Sequence, residues 1–345
     1  MSAPDYFSEI TYLMLETNST CNLACRFCNR PQLVEMGLRA KKIMSREEFH
    51  SLCTLFTQTR LDTIKLEGLS EPMMCPQFEW YAETLRSYFP EAFVIIATNL
   101  QYNLEKTPFV ATLPFVDMVY LSIDGVGSAY EEARPGAKYE RLLSSLADIK
   151  RLVPKEVRQQ KLHINFVCSP YNYQTLPKMY EFKEEYDLAS VRINLAQNWN
   201  EDEMNPLDFS QEMLDFLQPY KGDVKGVSGW EYNECFWPFA GMIVDVYGDF
   251  RQCIINTSQE ALGNVFNDDV RAIFNESAHY REVRRTLQKN CAPHVCRNCD
   301  YNNLSPILQK LQGGKHIPAP PRSFVMKEEF TIVKNSTEGV SPTGV

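Results

Sequence analysis

A chain of 345 residues with 44% hydrophobic and 23% charged residues is long and apolar enough for one large domain and a small one, with ample core. A net charge of −9, a pI near 5.3 and the lack of any basic block argue against nucleic acid as the main partner. No apolar run approaches a membrane span, and the first residues lack a basic region followed by an apolar one, so neither a membrane nor a signal peptide is expected.

Six β-rich runs are predicted, at 11–16, 63–66, 93–98, 118–123, 162–168 and 190–195. Amphipathic stretches lie between them. One, over 45–59, opens on the capping box Ser45-x-x-Glu48; another spans 139–152 with apolar residues at helical spacing. Repeated βα units of this kind predict an α/β fold, an open, partial (β/α)6 TIM-like barrel with outer helices. Chemistry in such folds gathers at the C-terminal ends of the strands.

The first run leads into Thr20-Cys-Asn-Leu-Ala-Cys-Arg-Phe-Cys-Asn29, which spaces Cys21, Cys25 and Cys28 as CxxxCxxC. Three thiolates on one short loop can hold three irons of a cubane iron–sulfur cluster and leave the fourth iron open to a ligand. A structural zinc site would need a fourth ligand, and the first fifty residues offer only His50. The second run is followed by Glu67-Gly-Leu-Ser-Glu-Pro-Met73, the third by Thr98-Asn99-Leu100, and the fourth by Leu121-Ser-Ile-Asp-Gly125, Tyr130 and Arg134-Pro-Gly136. Asp124 is placed to cap the helix after it, as an alternative to a role in the site. Alternation puts His163 and Asn165 on one face of the fifth run, and Arg192 and Asn194 on one face of the sixth. Such faces suit either a polar ligand inside the barrel or solvent. Cys168 closes the fifth run, where it could face substrate or pack in the core; Cys53 and Cys75 read as structural.

Eleven cysteines, an odd number without a secretion signal, disfavour a disulfide framework and point to metal in a reducing, cytoplasmic compartment. Most fall in two groups. The second holds Cys235, Cys253, Cys296 and Cys299 as C-x17-C…C-x2-C, with Cys291 nearby as a substitute ligand or spare thiol. The run from Met242 to Cys253 reads as a hairpin turning at Gly248-Asp249. Taken alone, these four cysteines fit a zinc ribbon as well as a cluster.

The cysteine loop resembles the signature of the radical S-adenosylmethionine (SAM) enzymes, in which an aromatic residue such as Phe27 commonly precedes the third cysteine. The resemblance implies a SAM-binding 4Fe–4S cluster on Cys21, Cys25 and Cys28, cleavage of SAM to methionine and a 5′-deoxyadenosyl radical, and a flavodoxin- or ferredoxin-type reductant. Glu67–Met73 is similar to the family's Gly-Gly-Glu-Pro segment, which implies that Glu71 receives the SAM ammonium. The departure is Leu69-Ser70 in place of two glycines, a mild change where φ is negative. Thr98-Asn99 resembles a Thr-Asn-Gly turn with Leu100 for the glycine, which sets Asn99 among the cofactor residues. The Ser-x-Asp-Gly…Arg-x-Gly pattern implies Ser122 at the ribose and Arg134 near the SAM carboxylate. The second cysteine group is similar to the SPASM/Twitch extension, which implies an auxiliary 4Fe–4S cluster on Cys235, Cys253, Cys296 and Cys299. No cysteine follows Cys299, so the shorter Twitch form with one auxiliary cluster is expected.

These readings divide the chain into a core at 1–205, a linker at 206–229, a cysteine-rich α+β domain at 230–305 and a partly flexible extension at 306–345. The expected activity is hydrogen abstraction from a polar substrate, oxidising a sugar, cyclitol or amino-acid derivative. The first strand begins by Thr11, without the leader-binding domain that peptide-maturing relatives often carry ahead of the barrel, and this leans toward a small substrate. The alternatives are an epimerase with Cys168 or Cys291 as hydrogen donor, a peptide or protein side-chain maturase, and a non-enzymatic iron–sulfur or zinc binding protein.

Overall fold

Ten strands form one sheet in the order β10-β9-β8-β1-β2-β3-β4-β5-β6-β7. They are β1 (Tyr12–Leu15), β2 (Thr63–Lys65), β3 (Phe93–Thr98), β4 (Met118–Ser122), β5 (Leu162–Cys168), β6 (Ser190–Leu195), β7 (Val224–Lys225), β8 (Gly241–Val244), β9 (Asp249–Arg251) and β10 (Gly263–Asn264). This computed structural model describes residues 4–197, 209–226, 228–254, 260–296 and 299–313. Strands β1 to β7 are parallel and adjacent in chain order, each joined to the next through helical connections or, between β6 and β7, a segment partly outside the described residues. All six predicted runs are strands, shifted by at most a residue or two at their ends.

Parity sorts each strand's residues between two layers. Leu13, Ile64, Val94, Ile96, Val119, Leu121, Ile164, Phe166 and Ile193 point outward into one large core beneath the helices. The helix Arg46–Phe56 buries Phe49, Leu52, Cys53 and Phe56 there, and its capping box at Ser45 and Glu48 is formed as read. The helix Tyr139–Leu152 contributes Leu142, Leu146 and Ile149. The opposite parity, with Tyr12, Met14, Ile95, Met118 and Tyr120, packs in separate small clusters on the inner face. That face is curved. Lys65 on β2 and Arg192 on β6 both lie against the ring of Tyr120 on β4, 6.0 and 5.5 Å from its centroid.

The region expected as a linker is structured where described. A helix at Gln211–Leu217 buries Met213 and Leu217 in the main core, and Val224 on β7 extends the sheet from β6. Residues 198–208 lie outside the described residues, as does 314–345 of the expected extension. The helix Asp300–Leu311 runs past the expected boundary at 305 and buries Leu308 and Leu311, which gives its last turn an apolar anchor.

The expected hairpin is β8–β9, and it does not stand apart. β8 pairs in parallel with the free edge of β1, so the second cysteine region continues the barrel sheet. Gly248, at φ +87° in the turn, faces the ring of Phe266, and a Cβ there would come within 2.4 Å of it. Only glycine satisfies both the turn and that contact.

Candidate active site at the strand ends

The loop carrying Cys21, Cys25 and Cys28 lies over the C-terminal ends of the strands. Its backbone is tied to the segment after the helix Gly127–Ala133, with Ala24 N donating to Pro135 O at 3.0 Å and Arg26 N to Ala133 O at 3.1 Å. The three half-buried cysteines line a cavity of about 200 Å³ together with Glu71, Asn99, Ser122 and Arg134. The structure thus brings all of these predicted site residues to one place.

Glu71 is buried. Its Oε1 accepts from Met73 N at 3.1 Å and from Thr98 Oγ1 at 2.8 Å, and its Oε2 accepts from Asn99 N at 2.7 Å. The carboxylate therefore locks the loop after β2 to the end of β3. A carboxylate offers about four acceptor positions, so one is left for a ligand. Burial pushes its pKa up to about 7, against the pull of these donors. Leu69 and Ser70, where the family pattern has glycines, avoid positive φ. The glycine is needed one residue earlier: a Cβ on Gly68 would sit 2.7 Å from the side chain of Glu16, which is ion-paired with Arg39 at 2.7 Å.

Leu100 does adopt the glycine conformation of a Thr-Asn-Gly turn, at φ +60°, although it is a leucine. Its side chain is fully buried, and its carbonyl accepts from Ser145 Oγ at 2.8 Å. Asn99 Nδ2 reaches Asn22 Oδ1 at 2.9 Å and approaches Cys21 Sγ at 3.8 Å.

Asp124 is not the cap of the following helix, whose N-cap is Val126. It forms a buried ion pair with Arg134 at 2.7 Å and accepts from Val167 N at 2.7 Å. Arg134 also points Nη1 at Cys25 Sγ, 3.7 Å away, while its Nε is buried without a partner. Burial raises all three thiols, Cys25 to about 11, with Arg134 the strongest opposing influence there. Metal binding requires thiolates, so a cluster would reverse that preference. The donor set fits one: three soft sulfur ligands on one loop, a cation beside them, and a spare N–H and a spare carboxylate position at the cavity wall.

Neither proposed hydrogen donor reaches this cavity. Cys168 shares the outward parity of Ile164 and Phe166 and is fully buried in the main core; Val167 is the neighbour that lines the cavity. Cys291 is exposed after the helix Ala278–Gln288, its Sγ donating to Lys289 O at 3.5 Å. Cys168 thus takes the core position that was one of its two expected places, and Cys291 lies at the surface. The polar inner positions of β5 and β6 face one another: Asn194 Nδ2 donates to Asn165 Oδ1 at 2.5 Å, and His163 Nδ1 contacts Ser190 Oγ at 2.8 Å.

In the second group, Cys235 and Cys253 belong to an apolar cluster with Tyr12, Phe236, Trp237 and Tyr301. Gln252 Nε2 approaches Cys296 Sγ at 3.9 Å. Among the described residues, no three His, Cys, Asp or Glu side chains are grouped so as to hold a single metal ion.

Residues 235–300 match the SPASM family, described as an iron–sulfur cluster-binding domain. The fold matches Streptococcus suis SuiB bound to S-adenosylmethionine, with TM-score 0.63 and 14% identity over 84% of this chain and 74% of that one. It also matches anSMEcpe with bound AdoMet, with TM-score 0.60 and 15% identity over 96% of this chain and 100% of that one. SuiB bound to its precursor peptide SuiA gives TM-score 0.61 at 15% identity over 84% and 72%. The chain has the radical SAM fold with a SPASM domain. The sheet of β1 to β6 is the partial barrel of that fold, and the β8–β9 hairpin belongs to the SPASM region. No helix among the described residues is long and apolar enough to cross a membrane.

Sequence reasoning missed Thr98, Arg39 and Glu16. Thr98 stood in a recognised turn, but its role depends on Glu71 arriving from another strand. The Glu16–Arg39 pair left no motif.

Proposed function

We propose that this radical SAM protein binds S-adenosylmethionine in the strand-end cavity and oxidises a polar substrate by hydrogen abstraction. The observation that carries the reading is the joining of Cys21, Cys25 and Cys28 with Glu71, Asn99, Ser122 and Arg134 around one cavity. When bound, a 4Fe–4S cluster would supply the electron that cleaves SAM to methionine and a 5′-deoxyadenosyl radical. Glu71 would take the ammonium on its remaining acceptor position, and the spare Nε–H of Arg134 would serve the carboxylate. Ser122 lines the cavity as the donor for the ribose.

Oxidation is favoured over epimerisation because, among the described residues lining the cavity, the cysteines are Cys21, Cys25 and Cys28. An epimerase needs a further donor to return a hydrogen atom. A closed auxiliary cluster on Cys235, Cys253, Cys296 and Cys299 would instead accept the product radical's electron. A peptide-borne side chain is a second reading of the substrate, supported by the fold shared with SuiB, solved with its precursor peptide SuiA.

The test is anaerobic incubation of the reconstituted protein with SAM and a low-potential reductant. Release of 5′-deoxyadenosine and methionine is expected; their absence in iron-replete protein overturns the assignment. With a substrate in hand, deuterium oxide separates the outcomes. Deuterium at the abstracted carbon of an unoxidised product would replace oxidation by epimerisation.

A further inference from the structure

The inner face of the barrel carries more positive charge than its described carboxylates offset. Lys65 on β2 is engaged with Glu67 at 2.6 Å. Arg192 on β6 is not paired in this way. Its Nη1 donates to Tyr120 Oη at 3.2 Å, its guanidinium lies 5.5 Å from the Tyr120 ring centroid, and its Nε is 3.5 Å from Asn194 Oδ1. Lys225 on β7 stands beside Asn194 in the β6–β7 register. Among the described residues neither Arg192 nor Lys225 has a carboxylate partner. Both line one cavity of about 190 Å³, with Asn194 and Gln197 as polar neighbours and Tyr301 and Leu308 as an apolar wall.

Two half-buried cations on one cavity repel each other and lose hydration, and both costs are offset when an oxyanion enters. Arginine presents a planar fork to such a group, and lysine adds a point charge. Side chains link the lining of this cavity to the reacting region: Asn194 is bonded to Asn165, and Asn165 sits opposite Ser122 in the β4–β5 register. We propose that Arg192 and Lys225 form an oxyanion-binding subsite that holds a carboxylate or phosphate group of the substrate. This rests on the reading of the strand-end cavity as the radical site. It narrows the substrate to an anionic molecule, anchored on β6 and β7 with its reacting carbon turned toward Ser122 and Val167.

Reconstituted holoprotein is titrated calorimetrically with inorganic phosphate and, separately, with acetate. Saturable binding of at least one is expected, weakened at least about tenfold by Arg192→Gln and by Lys225→Gln. It should survive Lys225→Arg and Arg151→Gln, the latter on an exposed helix face. Preference for phosphate over acetate, or the reverse, identifies the head group. SAM affinity is measured in every variant and should not change. Should Arg192→Gln fail to fold, Lys225→Gln carries the test. No saturable binding of either anion, binding that persists in both glutamine variants, or loss of SAM binding in a folded variant overturns the subsite. Anion binding that depends on both residues in a protein unable to cleave SAM would keep the subsite and remove the radical reading.

Discussion

The two cysteine groups occupy one continuous sheet but very different surroundings. Cys21, Cys25 and Cys28 lie at a polar cavity beside Arg134, Glu71, Asn99 and Ser122. Cys235 and Cys253 lie among Tyr12, Phe236, Trp237 and Tyr301, on β8–β9 and the turns flanking it. The first environment offers hydrogen-bonding groups to an incoming ligand, and the second sets aromatic rings around Cys235 and Cys253. Under the proposed function, identical donor atoms would serve ligand chemistry in one place and electron transfer in the other.

Replacing cysteines tests that division most severely. Loss of Cys21, Cys25 and Cys28 together should abolish SAM cleavage and lower the iron content from about eight to about four atoms per chain. Replacement of Cys235, Cys253, Cys296 and Cys299 should leave SAM cleavage but prevent formation of oxidised product. Iron analysis and product assay on the same samples separate the two. A parent protein with stoichiometric zinc and only about four irons would break the comparison.

The next effect belongs to the polar region. Arg134 and Asp124 are almost wholly buried, so Arg134→Met strands a carboxylate and should cost about 3–5 kcal/mol of stability. Adding Asp124→Leu should restore most of that stability and none of the SAM affinity. Denaturant unfolding and SAM titration of the single and double variants give the answer. If the double variant regains SAM affinity, Arg134 acts through stability alone.

Glu71 has a smaller and more local effect. Glu71→Ala should weaken SAM binding about tenfold to over a hundredfold, the worth of a hydrogen bond to an ammonium, with iron content intact. Ser122→Ala, which removes one neutral hydroxyl, should weaken it less, by about tenfold at most. An unchanged SAM dissociation constant for Glu71→Ala would confine this carboxylate to holding Met73, Thr98 and Asn99 in place.

Much of this was legible because the barrel is periodic. The strand runs, the capping box at Ser45 and the order of motifs after β1 to β4 follow from local pattern, and the cavity collects them because parallel strands share one end. The alternation that placed His163 and Asn165 on one face puts Cys168 on the other with Ile164 and Phe166, so its burial with those apolar residues could have been deduced from parity. Other features depend on contacts between distant segments. Nothing near Asp124 shows that Val126 ends up as the cap and that Arg134 folds back onto the carboxylate. The pairing of β8 with β1 joins residues more than two hundred positions apart, and a two-residue strand such as β7 has too little pattern to stand out from a linker. Glu67–Met73 was identified by its motif, yet the position that requires glycine is set by Glu16, which the motif does not contain.

Backbone strain gives the finest comparison of the two regions. Leu100, beside the first cysteine group, and Asn290, next to the second, both adopt positive φ. A leucine there costs about 1–2 kcal/mol, whereas asparagine tolerates the conformation. Leu100→Gly relieves the strain but removes a fully buried side chain, a loss of about 2–5 kcal/mol in comparable core truncations. The net expectation is a destabilisation centred on about 2 kcal/mol and no larger than about 4 kcal/mol. Asn290 is held differently: its Oδ1 accepts from Tyr232 N at 2.7 Å at an exposed turn leading to Cys235. Asn290→Gly loses that bond and gains a freer backbone, so its effect should stay within about 1 kcal/mol. Thermal unfolding of the two variants side by side measures the difference. Equal losses would mean that the turn before Cys235 depends on its tether as strongly as the strand-end cavity depends on its core.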